Sequence, residues 1–260
     1  MYDEAGGLLD SAFSVLSCMG SITRIITSLD KSLTHWHGAT EKRMTDSSTT
    51  AAVILAAGTS SRMGAGRHKL LLPLAGRPVL AHVIEAVLAS EARPIVLVLG
   101  HQANEVRTQL AAWLADPAIT VVENPDYLQG MSTSMRVGIQ TLIFYDYRKS
   151  DARADSALII LGDQPLITPR MINALILAHK TGSKGIVAPF YDGQRGSPVL
   201  FRAAFFPELL EVSGDEGGRA VLQRHRAELM TIDFGSAAHQ YDVDTWEAYQ
   251  EVIAAWQSNQ

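Results

Sequence analysis

A single cysteine, Cys18, among 260 residues leaves no means of making an intramolecular disulfide, which agrees with a reducing compartment. Runs of Lys and Arg are also missing: 22 basic residues against 27 acidic ones leave a net charge of −5, so the electrostatic footprint of a nucleic-acid binder is absent and a small-molecule substrate fits better. No apolar stretch approaches the roughly 18 residues of a membrane span. Asp3 and Glu4 stand where a secretory signal would carry basic residues, and the apolar run over residues 12 to 19 has no small-x-small cleavage site. The expected location is cytoplasmic, with neither membrane nor nucleic acid as partner.

Two common phosphate-binding motifs are lacking as well. A P-loop requires a Lys-Ser/Thr pair directly after its second glycine, whereas Gly64 is followed by Ala65 and the next lysine is Lys69. The dinucleotide fingerprint requires G-x-G-x-x-G and an acid near the end of the second strand, and Leu97-Val98-Leu99-Gly100 offers none. That absence counts against a nicotinamide oxidoreductase. No nucleophile motif stands out either.

What is present falls into two parts. Residues 1 to 50 are rich in Ser and Thr and end in the polar stretch Met44-Thr45-Asp46-Ser47-Ser48-Thr49-Thr50. They are expected to be an appendage, poorly ordered or arising from an early start site, with a short docking helix over residues 13 to 29 as the alternative. Residues 51 to 260 are expected to form one domain.

From residue 51 onward short apolar runs alternate with segments of helical period. Residues 51 to 56, 94 to 99, 119 to 123 and 157 to 161 read as strands. Helices are expected over residues 79 to 88, 103 to 114 and 132 to 143, and after Thr168 as N-cap with Pro169 at the first position. Later strands are expected over 186 to 189, 198 to 201 and 230 to 234, and helices over 203 to 212, over 219 to 225 and from Thr245. Buried strands with crossover helices predict a mostly parallel, Rossmann-like three-layer α/β fold with helices on both faces. The looser second half reads as a smaller C-terminal insertion or lid on the same sheet.

The loop after the first strand reads Leu55-Ala56-Ala57-Gly58-Thr59-Ser60-Ser61-Arg62-Met63-Gly64 and is followed by Lys69-Leu70-Leu71-Leu72-Pro73. Strand ends of this kind are where open α/β sheets bind ligands. Gly58 lets the backbone approach a phosphate, the small hydroxyl residues leave amides unobstructed, and Arg62 and Lys69 supply cationic donors. The bland alternative is a Gly/Ser surface turn with two solvated cations, and His68 reads as incidental. The loop resembles the signature L-A-A-G-x-S-x-R-M-G…K of the nucleotidyltransferase superfamily, which includes sugar-nucleotide pyrophosphorylases and molybdenum cofactor enzymes.

Nucleotidyl transfer spreads negative charge over phosphoryl oxygens, so carboxylates for a divalent cation are needed. Asp163 follows an apolar strand directly in Gly162-Asp163-Gln164-Pro165, which puts it at the ligand edge; the alternative is a turn or capping Asp. In Tyr241-Asp242-Val243-Asp244-Thr245, alternation places Asp242 and Asp244 on one side of an extended segment, and Asp244 or Thr245 reads equally as the N-cap of the last helix.

Further segments resemble one branch, the molybdenum cofactor cytidylyltransferases of the MocA type, which have a MobA-like fold. They are Leu70-Leu71-Leu72-Pro73, Asn124-Pro125 with Gly130-Met131-Ser132-Thr133-Ser134, Gly162-Asp163-Gln164-Pro165, Arg195-Gly196-Ser197-Pro198-Val199-Leu200-Phe201, Gly214-Asp215-Glu216-Gly217-Gly218-Arg219 and Asp242-Val243-Asp244-Thr245. They follow the family's order across residues 51 to 256.

The resemblance implies that Asp163 and Asp244 hold magnesium, with manganese as a substitute. It implies that Leu55, Ala56, Ala57, Gly58, Ser61, Arg62 and Lys69 bind the triphosphate side of CTP and that Gly130, Met131 and Ser132 contact the cytidine side. Arg62, Lys69 and Asp163 form the implied catalytic set, while Gln164, Arg195, Gly196, Pro198, Asp215 and Arg219 frame a molybdopterin pocket. An implied protein partner is a molybdenum hydroxylase apoenzyme of the xanthine dehydrogenase type. The rival readings are a transferase using GTP or a sugar phosphate, and a non-catalytic cofactor carrier. Two departures stand out: Trp246 and Ala248 replace a proline and an acid common in relatives, and Gly218 stands where alanine is usual.

Overall fold

The first strand, β1 (Thr50–Ala56), is a run of small and branched residues, all buried, as a strand covered on both faces must be. A computed structural model of the chain describes residues 49–64, 66–149, 153–235 and 241–258, which belong to one compact unit, Ser47–Gln260. Apart from Thr49 and Thr50, the expected appendage over residues 1 to 50 lies outside the described residues, and so does Cys18.

A short hairpin of β2 (Pro73–Leu74) and β3 (Arg77–Pro78) follows β1, then β4 (Ile95–Leu99), β5 (Ile119–Glu123), β6 (Ser156–Leu161), β7 (Ile186–Tyr191), β8 (Gln194–Arg195), β9 (Val199–Arg202) and β10 (Leu229–Asp233). The helices are α1 (Val79–Leu88), α2 (Ala103–Gln109), α3 (Ala111–Leu114), α4 (Met131–Lys149), α5 (Pro169–Thr181), α6 (Phe206–Glu211), α7 (Arg219–Arg224) and α8 (Trp246–Ser258).

The main sheet has the order β10-β7-β9-β6-β1-β4-β5, with β8 paired to β7. Pairs β1·β4, β1·β6, β4·β5 and β7·β10 are parallel, and β9 runs antiparallel between β6 and β7. The chain steps outward from β1 to β4 and β5, then returns to lay β6 on the other side of β1. Strand order therefore reverses between β1 and β6, and ligands of open α/β sheets bind outside the carboxyl ends of strands at such a switch point. Gly58 follows β1 and Asp163 follows β6 at that edge.

Alternation along the strands builds the layers. Ala52, Ile54, Leu97, Leu99, Leu158 and Ile160 lie in one buried cluster with residues of α1 and α5, such as Leu80, Ile84, Ile172 and Leu175. The opposite face receives α4, so closely that a Cβ on Gly138 would lie 2.3 Å from Cγ1 of Val53 and 3.2 Å from Cγ2 of Val98. Helices thus cover both faces, as the fully buried strands required.

The structure refines several boundaries. The helix expected over residues 103 to 114 breaks at Leu110, which leaves helical geometry (φ −103, ψ 12) while its side chain is wholly buried. α4 starts at Met131 and runs on to Lys149, past the expected end at residue 143. Residues 203 to 205 form a 3-10 turn before α6, which has a proline in its first turn. The Thr168 hydroxyl accepts from the Met171 amide at 3.3 Å, so the expected cap of α5 is in place. Gly218 has a packing reason: a Cβ there would lie 2.8 Å from Cζ of the buried Phe201 ring. Among the described residues no helix is long and apolar enough to cross a membrane.

Gly138 sets two effects against each other. Alanine in a helix interior is ordinarily favoured over glycine by about 0.5–1 kcal/mol. Overpacking a closed contact costs about 1–3 kcal/mol, and the 2.3 Å approach to Val53 makes the second effect dominant. Gly138→Ala is expected to lower stability by about 1 kcal/mol or more in urea unfolding, and a raised midpoint would show that α4 is not pinned there.

Candidate active site

The backbone after β1 is bent by Ser60, which sits in the left-handed region at φ 59. The 3-10 turn that follows, Ser61–Met63, sends Arg62 outward, its side chain 70% exposed, and buries Met63 at 2%. The loop is closed on itself where Ser60 Oγ accepts from the Lys69 amide at 3.0 Å. Lys69 opens a second 3-10 turn, Lys69–Leu71, in which Leu70 is buried, so the lysine leaves a fixed backbone point with its side chain only 13% exposed.

That side chain reaches both predicted acids. Lys69 Nζ donates to Asp163 Oδ2 and, at 2.7 Å, to Asp244 Oδ1. Arg62 Nη2 lies 3.1 Å from the other Asp244 oxygen. Two residues far apart in sequence thus converge on one ammonium group beside the Gly58 loop. Backbone bonding explains the convergence: the Val243 amide donates to the Asp163 carbonyl at 3.0 Å, which lays the 242–244 segment along the end of β6.

The cap of the last helix is decided locally. Thr245 Oγ1 accepts from the Ala248 amide at 3.2 Å, so Thr245 caps α8 and the Asp244 carboxylate is left to Lys69 and Arg62. Burial opposes charge on Lys69, yet Asp163 and Asp244 outweigh it and hold the ammonium above its ordinary pKa. Burial likewise pushes Asp244 up, and the hydrogen bond and charge of Lys69, aided by Arg62, bring it below the usual carboxylate value.

Asp242 lies beside this pair and behaves differently. Gln164 Nε2 donates to its Oδ1, and burial, reinforced by the Asp163 charge, raises its pKa from 3.8 to about 6. Between the two acids Val243 is wholly buried, which is the expected alternation. Met63, Leu74, Val79, Leu166, Val243, Tyr249 and Val252 form a small second core. Met63 stands next to Arg62 and Val243 next to Asp244, so each of these two charged side chains is flanked by an apolar anchor.

The remaining expected residues fall into separate groups. Leu55, Ala56 and Ala57 are buried at the end of β1, and Gly58 and Ser61 are exposed. Gly130, Met131 and Ser132 open α4, where the Met131 amide donates to Asp215 Oδ1 at 3.1 Å and the Ser132 amide to the Gly214 carbonyl at 3.0 Å. The structure therefore joins the expected cytidine turn to the expected pterin segment. Ser132 is buried at 1%, and Gln164, 4% exposed, is engaged by Asp242 inside the protein. Arg195 lies on β8 just beyond the carboxyl end of β7, with Gly196 and the buried Pro198 after it, and Arg219 starts α7; both arginines are exposed. Among the described residues no hydrogen bond or ion pair ties either arginine to Lys69, Asp163 or Asp244.

Sequence reasoning did not single out Ser60 as the residue that closes the loop. The hydroxyl run 59 to 61 was the only signal, and nothing in it distinguishes its members. Asp242 was noticed for its alternation with Asp244, but its bond to Gln164 joins residues 78 apart.

The acid pair fits a divalent cation. Oxygens of two carboxylates already converge on one ammonium, and hard oxygens are what magnesium and manganese take, with substrate phosphates completing the set. Among the described residues no cluster of three or more His, Cys, Asp or Glu forms a metal cage without such help.

Residues 52–229 match the model of the MobA-like NTP transferase domain. The chain belongs to this family. It is 34% identical over 161 residues to the bifunctional protein GlmU of Burkholderia ambifaria, covering 61% of the chain but only 32% of that relative, so it spans about a third of the length of such relatives. It is 30% identical over 214 residues to a nicotine blue oxidoreductase of Paenarthrobacter nicotinovorans, covering 77% of the chain and 95% of the relative. Among solved structures, Rv0371c of Mycobacterium tuberculosis H37Rv superposes with TM-score 0.67 at 27% identity, over 81% of this chain and all of that one. A structure of Rv0371c also exists as a complex with manganese. Family and fold agree on the mostly parallel α/β architecture expected from the sequence.

The raised pKa of Asp242 gives a pH signature. A native carboxyl that holds its proton more tightly than the unfolded chain stabilises the fold fully below about 3.8, and this contribution is lost as pH rises through about 6. The ligand-free protein is expected to lose stability over that window on account of Asp242, and Asp242→Asn to flatten the loss. Urea unfolding across the window checks this; equal slopes in parent and variant would contradict it.

Proposed function

We propose that the protein transfers CMP from CTP to the terminal phosphate of molybdopterin, giving molybdopterin cytosine dinucleotide and pyrophosphate. The observation that carries this reading is the convergence of Asp163 and Asp244 on Lys69 beside the Gly58 loop at the switch point. An acid pair arranged around a cation, next to an anion-cradling turn, is what in-line transfer to a phosphate acceptor needs. CTP and molybdopterin are favoured over GTP or a sugar phosphate by the ordered segments from Leu70 to Thr245 that resemble the MocA-type cytidylyltransferases. The intact acids and loop favour an enzyme over a passive carrier.

In this reading Asp163 and Asp244 hold magnesium or manganese, which when bound neutralises charge on the phosphoryl oxygens. Gly58 admits the triphosphate to the backbone; Lys69 and Arg62 donate to its oxygens and hold two anionic substrates together against their repulsion. An oxygen of the acceptor phosphate, already anionic near neutral pH, forms a bond to the α-phosphorus. The bond from that phosphorus to its bridging oxygen breaks, and pyrophosphate leaves with the electron pair. No enzyme nucleophile is required, which agrees with the lack of a nucleophile motif. Arg195, Gly196, Pro198, Asp215 and Arg219, with Gln164 behind Asp242, serve the pterin side, and a molybdenum hydroxylase apoenzyme of the xanthine dehydrogenase type is the recipient of the product.

The relative named as a nicotine blue oxidoreductase favours a second reading, a redox enzyme on the same fold. The loop after β1 lacks the dinucleotide fingerprint, and fold alone does not decide activity.

Mass detection of the cytosine dinucleotide from CTP, molybdopterin and magnesium, with GTP failing to replace CTP, is the expected result. A guanine product, or hydride transfer to a nicotinamide with no pyrophosphate released, would overturn the assignment.

Variants sharpen the roles. Asp163→Ala should abolish most turnover at matched magnesium, and near-normal transfer by it would refute the acid pair. Lys69→Ala, which removes a charge only 13% exposed, should weaken CTP binding by about 2–3 kcal/mol. Arg62→Ala, at 70% exposure, should weaken it less. Calorimetric titration of magnesium-CTP gives the order, and an inverted ranking would contradict the burial argument.

A further inference from the structure

We infer that Trp246 is a positioning residue: its ring clamps the Arg67 arm of the anion loop to the segment that carries Asp244, and so fixes how Arg62 and Lys69 address one nucleoside triphosphate. The inference rests on the nucleotidyltransferase reading above and concerns a residue outside the ligand set proposed there.

Among the described residues of the arm the holds are few. Gly64 and Gly66 flank it in the left-handed region, at φ 83 and 77, and at neither glycine does anything lie within 4 Å of where a Cβ would be. Arg67 is exposed, and its guanidinium carbon lies 4.3 Å from the centroid of the Trp246 ring. A second, longer hold is the bond from Arg67 Nη1 to the Met63 carbonyl at 3.5 Å.

Trp246 is anchored in turn. Its ring lies 5.2 Å from that of Tyr249, a residue 4% exposed whose hydroxyl donates to the Pro73 carbonyl. A column of contacts therefore runs from the exposed arm through Arg67, Trp246 and Tyr249 to the hairpin that follows Lys69. Trp246 is two residues from Asp244, and Arg67 two from Lys69. The clamp thus joins the two chain segments whose side chains meet in the Lys69–Asp244 ion pair. Trp246 packs on Tyr249 yet stays 39% accessible, which leaves ring surface for the Arg67 cation to cover.

The size of the effect follows from the contact. An exposed cation–π pair biases a loop by about two- to fivefold in population, and a ligand that needs the held loop binds more weakly by the same factor when the clamp is lost. The acceptor and the carboxylates are untouched, so the loss falls on nucleotide affinity and KM, with kcat unchanged.

The test uses the full chain and magnesium-CTP in calorimetric titration, with pyrophosphate release for KM and kcat. Trp246→Leu, which keeps apolar bulk but removes the π face, should raise the dissociation constant and KM two- to fivefold without changing kcat. Trp246→Phe should restore parental binding. Arg67→Gln should weaken binding to a similar degree, and the double variant Arg67→Gln/Trp246→Leu should be no weaker than the worse single one. Because Arg67 lies on an exposed arm, its variant serves even if a tryptophan variant folds poorly. Parental affinity in Trp246→Leu, failure of Trp246→Phe to rescue, or additive losses in the double variant would each overturn the clamp. If the parent chain binds neither CTP nor GTP with magnesium, the transferase reading falls and the clamp with it. If the parent binds and the leucine variant matches it, the clamp alone falls.

Discussion

One ammonium group holds the site together. Lys69 Nζ is shared by Asp163 and Asp244, which come from opposite ends of the second half of the chain and would repel each other without it. Removing a charge from a largely buried set of this kind leaves an uncompensated partner, a cost of several kcal/mol in comparable cases. The arrangement also brings carboxylate oxygens from two distant segments together before any substrate arrives. Pre-organisation and electrostatic stability are therefore the same feature in this site.

The rest of the site is built to keep that triad in register. Ser60 fixes the backbone of Lys69, the Val243 amide ties the acidic segment to the end of β6, and Thr245 takes over the helix cap that Asp244 would otherwise have to supply. The small core of Met63, Leu166, Val243 and Tyr249 buries the neighbours of the reactive residues instead of the residues themselves. The charged side chains can then meet one another, partly covered, while their backbones are held from behind. Because this core draws on the first loop, the segment after β6 and the last helix, a change in any of these is felt at the same place.

The sheet explains why the triad forms where it does. Two parallel strands that step away from β1 on one side and a third that returns on the other put the reversal of strand order between β1 and β6, where open α/β sheets bind ligands. The antiparallel β9 then lets the later chain extend the same sheet through β7 and β10. The contact between Gly130 and Gly214, close enough that a Cβ on Gly130 would lie 2.7 Å from the Gly214 backbone, draws the two expected substrate segments into one surface.

Much of this was legible in the residues alone, because its causes are local. The apolar runs within β1, β4 and β6 could only be strands covered twice, Thr168-Pro169 could only open a helix, and a loop from Gly58 to Lys69 was expected directly after the first strand. Asp163 was placed at the ligand edge by the strand before it. What the sequence could not decide was every pairing between distant positions: which hydroxyl of 59 to 61 would hold Lys69, whether Asp244 or Thr245 would cap α8, and that Gln164 would meet Asp242. Those outcomes depend on through-space distances set by the sheet order and the second core, and residue type carries no information about such distances until the chain has closed on itself.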